Sequence, residues 1–435
     1  MPAFLLSTLY VGFMLLTISD LFPAIAQLSI TPFLGIGAML AIVVYQRQEW
    51  PIWRHQVFVL LLFFIAAIGT SMVANGWVGG GALAVWQYLP YSLVLIFVGS
   101  TGTTTSRLAW LRNVLVIIAV AFTCAGLYDL FTGVTESHFI LGPKHSDDVQ
   151  EEPVEVDPGV LRLKALGTSD DPNDFAQFLL IAIALIRARR FEKEGWLLRA
   201  IRALVIVFLM VGLFYTRSRG AFVGLSVLLA LAAWERFRWV GAAAVIAMAA
   251  AAAPFVSTLS GRDLSLEGGA DRLAIWSDAL GAIKHSPLLG NGFGSATDLL
   301  ELTAHNSYLL CLVELGLAGF LCWIGMLLVV AIPLWRLAEA PPGTEAGITI
   351  RSWARAIRSA IIAFLVTSFF LSRTYHFLFL LLLGMAFAVV QINSDRIGEK
   401  EERLPMKTWV PIAAAMSIMA VGIPYGMIRL EHFLR

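Results

Sequence analysis

Apolar residues in this chain fall in long runs, not in alternation, and the runs recur from one end to the other. They lie approximately at Phe4 to Gln27, Thr31 to Gln46, Val57 to Asn75, Val85 to Ser100, Val114 to Thr132, Phe175 to Ile186, Ala203 to Thr216, Ala221 to Trp234, Val240 to Val256, Asn306 to Trp335, Ala360 to Leu371, Phe377 to Ile392 and Trp409 to Ile428. A helix needs ~20 predominantly apolar residues to cross the hydrocarbon core of a bilayer. The pattern therefore predicts an all-α polytopic membrane protein with about 12–13 transmembrane helices. Several runs are short, while the one from Asn306 is long enough to bend or to start along the interface. Pro23-Ala24-Ile25-Ala26 looks like a signal-peptidase site, but no Lys or Arg precedes it, so the first run is expected to stay as a membrane helix.

Composition agrees: 58% hydrophobic residues, 14% charged residues and a mean hydropathy of +0.79 exclude one soluble core. Cys124, Cys311 and Cys322 all lie in apolar runs without CxxC spacing, which implies neither a disulfide framework nor a zinc site. The net charge of +1 says little. Where the cations fall says more, because Lys and Arg concentrate in cytoplasmic connections. Arg47 and Arg54, Arg107 and Arg112, Arg187 to Arg202, Arg236 and Arg238, Arg336 to Arg358, and Arg396 to Lys407 fall in alternate loops, which are expected inside. Two of the outward connections are long, 133–174 and 257–304. The first carries Asp147, Asp148, Glu151, Glu152, Glu155 and Asp157 and reads as a solvated acidic loop. The chain reads as one integral-membrane domain over 1–435, with no internal repeat.

Cations on the outward side break this rule. Arg217, Arg219, Arg272, His305 and Arg373 all fall there and call for an anionic partner. Arg217 and Arg219 sit in YTRSRGAF, a tight connection between two spans; interfacial anchoring by snorkelling is the alternative to an anion site. Arg272 opens RLAIWSDALGAIKHSP, where Leu273, Ile275, Trp276, Leu280 and Ile283 recur at helical spacing and lay one face on the membrane or the bundle. The run Gly290 to Ser295 follows no strand and lacks the Lys of a P-loop, so a flexible turn is the expectation over a phosphate cradle.

His305 stands at a helix entrance, where it serves either as a polar cap or as a base. A neutral imidazole can take a proton from a sugar hydroxyl, which an arginine cannot. Glu314 lies further along the same helix, and Gly316 and Gly319 permit a bend or close approach. Arg373 and His376, in the short outward turn SRTYH, form a second candidate pair for the same cavity.

These residues resemble the O-antigen ligase and O-antigen polymerase superfamily of bacterial inner-membrane glycosyltransferases, grouped with the GT-C folds. The resemblance rests on TRSRGAFVGL at 216–225, DRLAIWSDAL at 271–280, SPLLGNGFGS at 286–295 and HNSYLLCLVELGLAGF at 305–320, within a catalytic core at about 203–335. It implies transfer of a glycan from an undecaprenyl diphosphate donor to an acceptor hydroxyl on the periplasmic face, with inversion and without a metal or other cofactor. The family's arginines correspond to Arg219 and Arg272, with Arg217 beside them, and its histidine to His305. Arg217, Arg373, His376 and Glu314 then become candidate substrate-binding residues. Guanidinium groups suit a leaving diphosphate, and no Asp-x-Asp motif stands in the outward loops.

Polymerase and ligase share this chemistry and differ in acceptor, another lipid-linked repeat unit or the lipid A core. The segment LGTSDDPNDFAQF at 166–178 is similar to one in exopolysaccharide polymerase-like members and favours the polymerase. A polysaccharide or lipid transporter is the alternative from another class; it calls for paired ionisable residues in mid-membrane and internal repeats, and the charges here cluster at the outer mouth instead. The expected partners are the lipid-linked donor, the glycan or core acceptor, membrane lipid and a chain-length regulator, with no nucleic acid.

Overall fold

The structure is a computed structural model and describes residues 1–16, 30–46, 52–134, 137–141, 161–188, 195–259, 267–300, 303–341, 343–398 and 403–434. In chain order its helices are α1 (Pro2–Leu16), α2 (Ile30–Gln46), α3 (Gln56–Ala74), α4 (Val78–Thr101), α5 (Thr105–Thr132), α6 (Pro172–Ile186), α7 (Trp196–Tyr215), α8 (Arg219–Leu259), α9 (Glu267–His285), α10 (Ala296–Leu300), α11 (Ser307–Glu339), α12 (Glu345–Ser368), α13 (Phe377–Ile397) and α14 (Met406–Leu434). A two-stranded antiparallel ribbon, β1 (Ile140–Leu141) and β2 (Arg162–Leu163), stands between α5 and α6. The acidic residues 147–157 and the motif at 23–26 lie outside the described residues.

Among the described residues, eight helices are long and apolar enough to cross a membrane, α3, α4, α5, α7, α8, α11, α13 and α14, and α1, α2 and α6 are shorter apolar helices. The protein is an all-α polytopic membrane protein. Two expected spans, 221–234 and 240–256, run together in α8, where Arg238 at φ 56°, ψ −140° marks a break. The expected span at 360–371 begins much earlier, at Glu345. Arg351, Arg355 and Arg358 therefore lie on α12 and not in a loop, and only residues 340–344 connect α11 to α12. The outward connection 257–304 likewise contains the 19-residue helix α9.

Helix α6 from Asp174 onward and residues 377–390 of α13 are largely apolar and buried on all sides. Around them stand α4, α5, α7, α8, α11 and α12, several of which turn large apolar side chains outward, as does the more peripheral α14. Trp86 on α4 and Ile418 on α14 are examples, 69% and 74% exposed, as lipid-facing residues should be.

Charge marks the two ends of this bundle. At one end Arg358, nearly fully buried, donates to Glu339 Oε1 at 2.6 Å and to Glu235 Oε1 at 3.0 Å, and Arg187 meets Glu235 Oε2 at 2.9 Å. That cluster ties the C-terminal end of α6 to α8, α11 and α12. The opposite ends of the same four helices carry Asp171, Arg219, Asn306 and Thr367, and they build the site described next.

Candidate functional site

The frame of the site is a helix broken by design of its sequence. Gly316 takes φ 61°, ψ −164° inside α11, so the helix cannot close its own ladder there. The segment Pro287 to Gly292 fills the gap: the amides of Asn291 and Gly292 donate to the carbonyls of Val313 (2.8 Å) and Glu314 (3.1 Å), and the amides of Leu317 and Ala318 donate to those of Pro287 (2.9 Å) and Leu288 (3.1 Å). In an unbroken helix the second pair of amides would have bonded the first pair of carbonyls. These four groups freed by the break are thus re-satisfied, as burial demands. Asn291 Nδ2 adds a bond to the Val313 carbonyl at 2.9 Å, and Asn75 Nδ2 holds the Gly290 carbonyl at 3.0 Å. The run 290–295 is therefore a fixed plug and not the expected flexible turn. Its first amides are spent on α11, which leaves no phosphate cradle there.

The helix α9 lies against the bundle beside this plug. Trp276 and Leu280 are buried with Leu309, Leu310 and Val313 of α11, while Leu273, Ile275 and Ile283 pack around them. Of the two expected resting places for the apolar face of α9, it is the bundle that is occupied. This docking orients Arg272, at the opposite end of α9 from His285.

Arg272 and Arg219 line one cavity, together with Asn173, Ser218, Gly220, Ala221, Thr367, Phe370 and Leu371. Arg219 is the first residue of α8, after a connection of three residues, Thr216 to Ser218. The connection is rigid: Thr216 and Ser218 are buried, Ser218 Oγ accepts from the Ala221 amide at 3.2 Å, and Arg217 adopts φ 51°. The N-terminus of α6 contributes Asn173 to the same cavity, so two helix N-termini add their positive ends to two guanidinium groups. The arrangement is suited to an anion.

His305 stands beside this cavity, at φ 44°. The carbonyl before it accepts from Trp276 Nε1 at 3.0 Å, and Ser307, two residues on, donates to the carbonyl of the cavity residue Leu371 at 2.5 Å. The cap of α11 is not His305 but Asn306, whose Oδ1 accepts from the amides of Tyr308 (3.0 Å) and Leu309 (3.2 Å). Burial holds the imidazole pKa below its ordinary value, the charge of Arg272 lowers it further, and Asp171 opposes both. A group so placed is a neutral imidazole near pH 7.

The other candidates have partners within the protein. Arg373 forms a two-pronged ion pair with the buried Asp174 of α6. His376 Nδ1 accepts from the Leu378 amide at 3.2 Å and caps α13. Glu314 accepts from the Tyr375 hydroxyl at 2.7 Å and from the Ala296 amide at 3.3 Å, which fixes the plug and the turn after α12 to α11. Arg217 is not among the residues lining the cavity of Arg219 and Arg272.

Four residues around the site carried no local signal of their role: Arg162, Asp171, Asn173 and Asp174. The last three lie in the segment singled out above as polymerase-like, yet nothing in the sequence says that the N-terminus of α6 meets the start of α8. Only Pro172 at the first turn and Asp171 as its cap mark a helix start there.

No curated protein sequence matches the chain. The family model described as O-antigen ligase matches residues 203–324, a stretch that holds Arg219, Arg272 and His305.

Proposed function

We propose that this protein is a glycosyltransferase of the bacterial inner membrane that moves a glycan from an undecaprenyl diphosphate donor to a sugar hydroxyl, on the periplasmic face. The observation that carries the reading is the convergence of Arg219 and Arg272 on one cavity beside His305. The two guanidinium groups hold the diphosphate and take up the charge that develops as the anomeric C–O bond breaks. His305 accepts the proton of the acceptor hydroxyl while that oxygen attacks the anomeric carbon from the opposite face, which inverts the configuration. Arg272 has a double role, since burial lowers the pKa of His305 and the same charge that grips phosphate lowers it further, which favours the neutral imidazole as base.

The reaction is one of polymerisation, joining O-antigen or exopolysaccharide repeat units. The segment 166–178 favours this over ligation to lipid A core, because its Asn173 enters the cavity and its Asp171 faces His305 electrostatically. Purified protein in nanodiscs, given only lipid-linked repeat units, should produce a ladder of longer glycans. Product formed solely when a lipid A core acceptor is added would assign the ligase reaction instead, and no product with either acceptor would reject glycan transfer.

A further inference from the structure

We propose that Asn173 is an uncharged third donor to the diphosphate, and that Arg162 is the positioning residue that turns its amide toward the ligand; this rests on the reading of the cavity given above. Arg162, on β2, is 4% exposed. Its Nε donates to the carbonyl of Thr216 at 3.0 Å, and its Nη2 donates to Asn173 Oδ1 at 3.3 Å. One buried side chain thus spans the two segments that bring Asn173 and Arg219 to the cavity, the start of α6 and the connection before α8.

The chemistry of the pair fixes the direction of the amide. Arginine has five donors and no acceptor, so only the Oδ1 end of Asn173 can face it. The Nδ2 group must then point the other way, and among the described residues it has no hydrogen-bond partner. Asn173 lines the same cavity as Arg219 and Arg272. A side-chain N–H₂ directed into a space framed by two guanidinium groups suits a phosphate oxygen that those groups leave unbonded. Asp171 adds to the preorganisation, since its Oδ1 accepts from the Asn173 amide at 2.7 Å and holds the residue at the first turn of α6.

The alternative is that Asn173 serves only as an acceptor for Arg162. Asn173→Asp separates the two, because a carboxylate of the same shape would hold Arg162 more strongly while presenting an acceptor to the ligand. The measurement is equilibrium binding of undecaprenyl diphosphate to the full chain in nanodiscs, with thermal unfolding recorded for each variant. Asn173→Ala should weaken binding about tenfold, the scale of one hydrogen bond to a charged group, and Asn173→Asp should weaken it more. Arg162→Met should match Asn173→Ala, and the double variant should bind no worse than either, since both remove one oriented donor. Binding by Asn173→Asp equal to wild type would overturn the inference, as would additive losses in the double variant. Arg219→Ala separates the two readings: if it abolishes binding while the Asn173 variants bind normally, the arginine site stands and the third donor falls. Normal binding by Arg219→Ala removes the site reading itself.

Discussion

Gly290 and Glu314 meet backbone to backbone, so closely that a Cβ on Gly290 would stand 2.3 Å from the carbonyl carbon and oxygen of Glu314. Gly316 has the converse problem with Leu288, at 2.5 Å from its carbonyl. Both also occupy the left-handed region, at φ 73° and 61°. The contact sets the direction of the first turns of α11, and with it the position of His305. Gly290→Ala and Gly316→Ala should therefore destabilise the detergent-solubilised protein by more than the ~1–3 kcal/mol that a strained backbone costs alone, read as a fall in melting temperature. Gly294, also at positive φ but with open space around its Cβ position, should tolerate Ala with a loss confined to that strain. Equal effects at all three positions would contradict the close-approach account.

The separation of charge between the two ends of the bundle predicts a topology. Thr297, exposed beside the plug, should be reached from outside the cell, and Arg236, exposed near the ion cluster, from inside. Single cysteines at these positions, in a background lacking Cys124, Cys311 and Cys322, can be labelled with an impermeant maleimide in intact cells. Labelling of Arg236→Cys and not of Thr297→Cys would reverse the orientation and move the site to the wrong face for a periplasmic enzyme.

Arg219→Ala and Arg272→Ala should abolish transfer while the protein stays inserted and folded. Lys at either position should restore little, because an ammonium is a point charge and lacks the planar fork that grips two phosphate oxygens. Full activity in both Lys variants would show that charge alone suffices.

Much of this was legible in the sequence because membrane insertion makes charge placement conspicuous. A guanidinium on the outward side stands out against the charge rule, so Arg219 and Arg272 became candidates from their positions, together with Arg217. Arg373 stood out in the same way, and its partner Asp174 did not, since the two are brought together only by the packing of α6 against α12 and its following turn. The glycine run showed that the chain turns; that its amides complete a broken helix depends on a tertiary pairing with residues 313–318. Arg351, Arg355 and Arg358 were misplaced in a loop because charge counts there against a span, whereas Glu235 and Glu339 neutralise Arg358 inside the bundle.

The environment of His305 sets the pH response. Burial and Arg272 lower its pKa, so the neutral base persists below pH 6.5, the usual midpoint for histidine. Turnover should stay flat through neutral pH and fall only in more acid solution, as the imidazole becomes protonated. In Arg272→Gln, whatever activity remains should lose its acid limb at higher pH than wild type, since one of the two lowering influences is gone. An unshifted limb would show that Arg272 does not set the state of the base.

The division of labour between arginine and histidine is the core of the account, and His305→Asn tests it most directly. Asn306 caps α11, so the substitution leaves that cap in place. Purified variant and wild type are compared for undecaprenyl diphosphate binding and for transfer from a lipid-linked donor. The account predicts binding within about twofold of wild type and turnover lower by ~10² to 10⁴, the contribution of a positioned proton acceptor. Near wild-type turnover in the Asn variant, or loss of binding in step with loss of turnover, would contradict it.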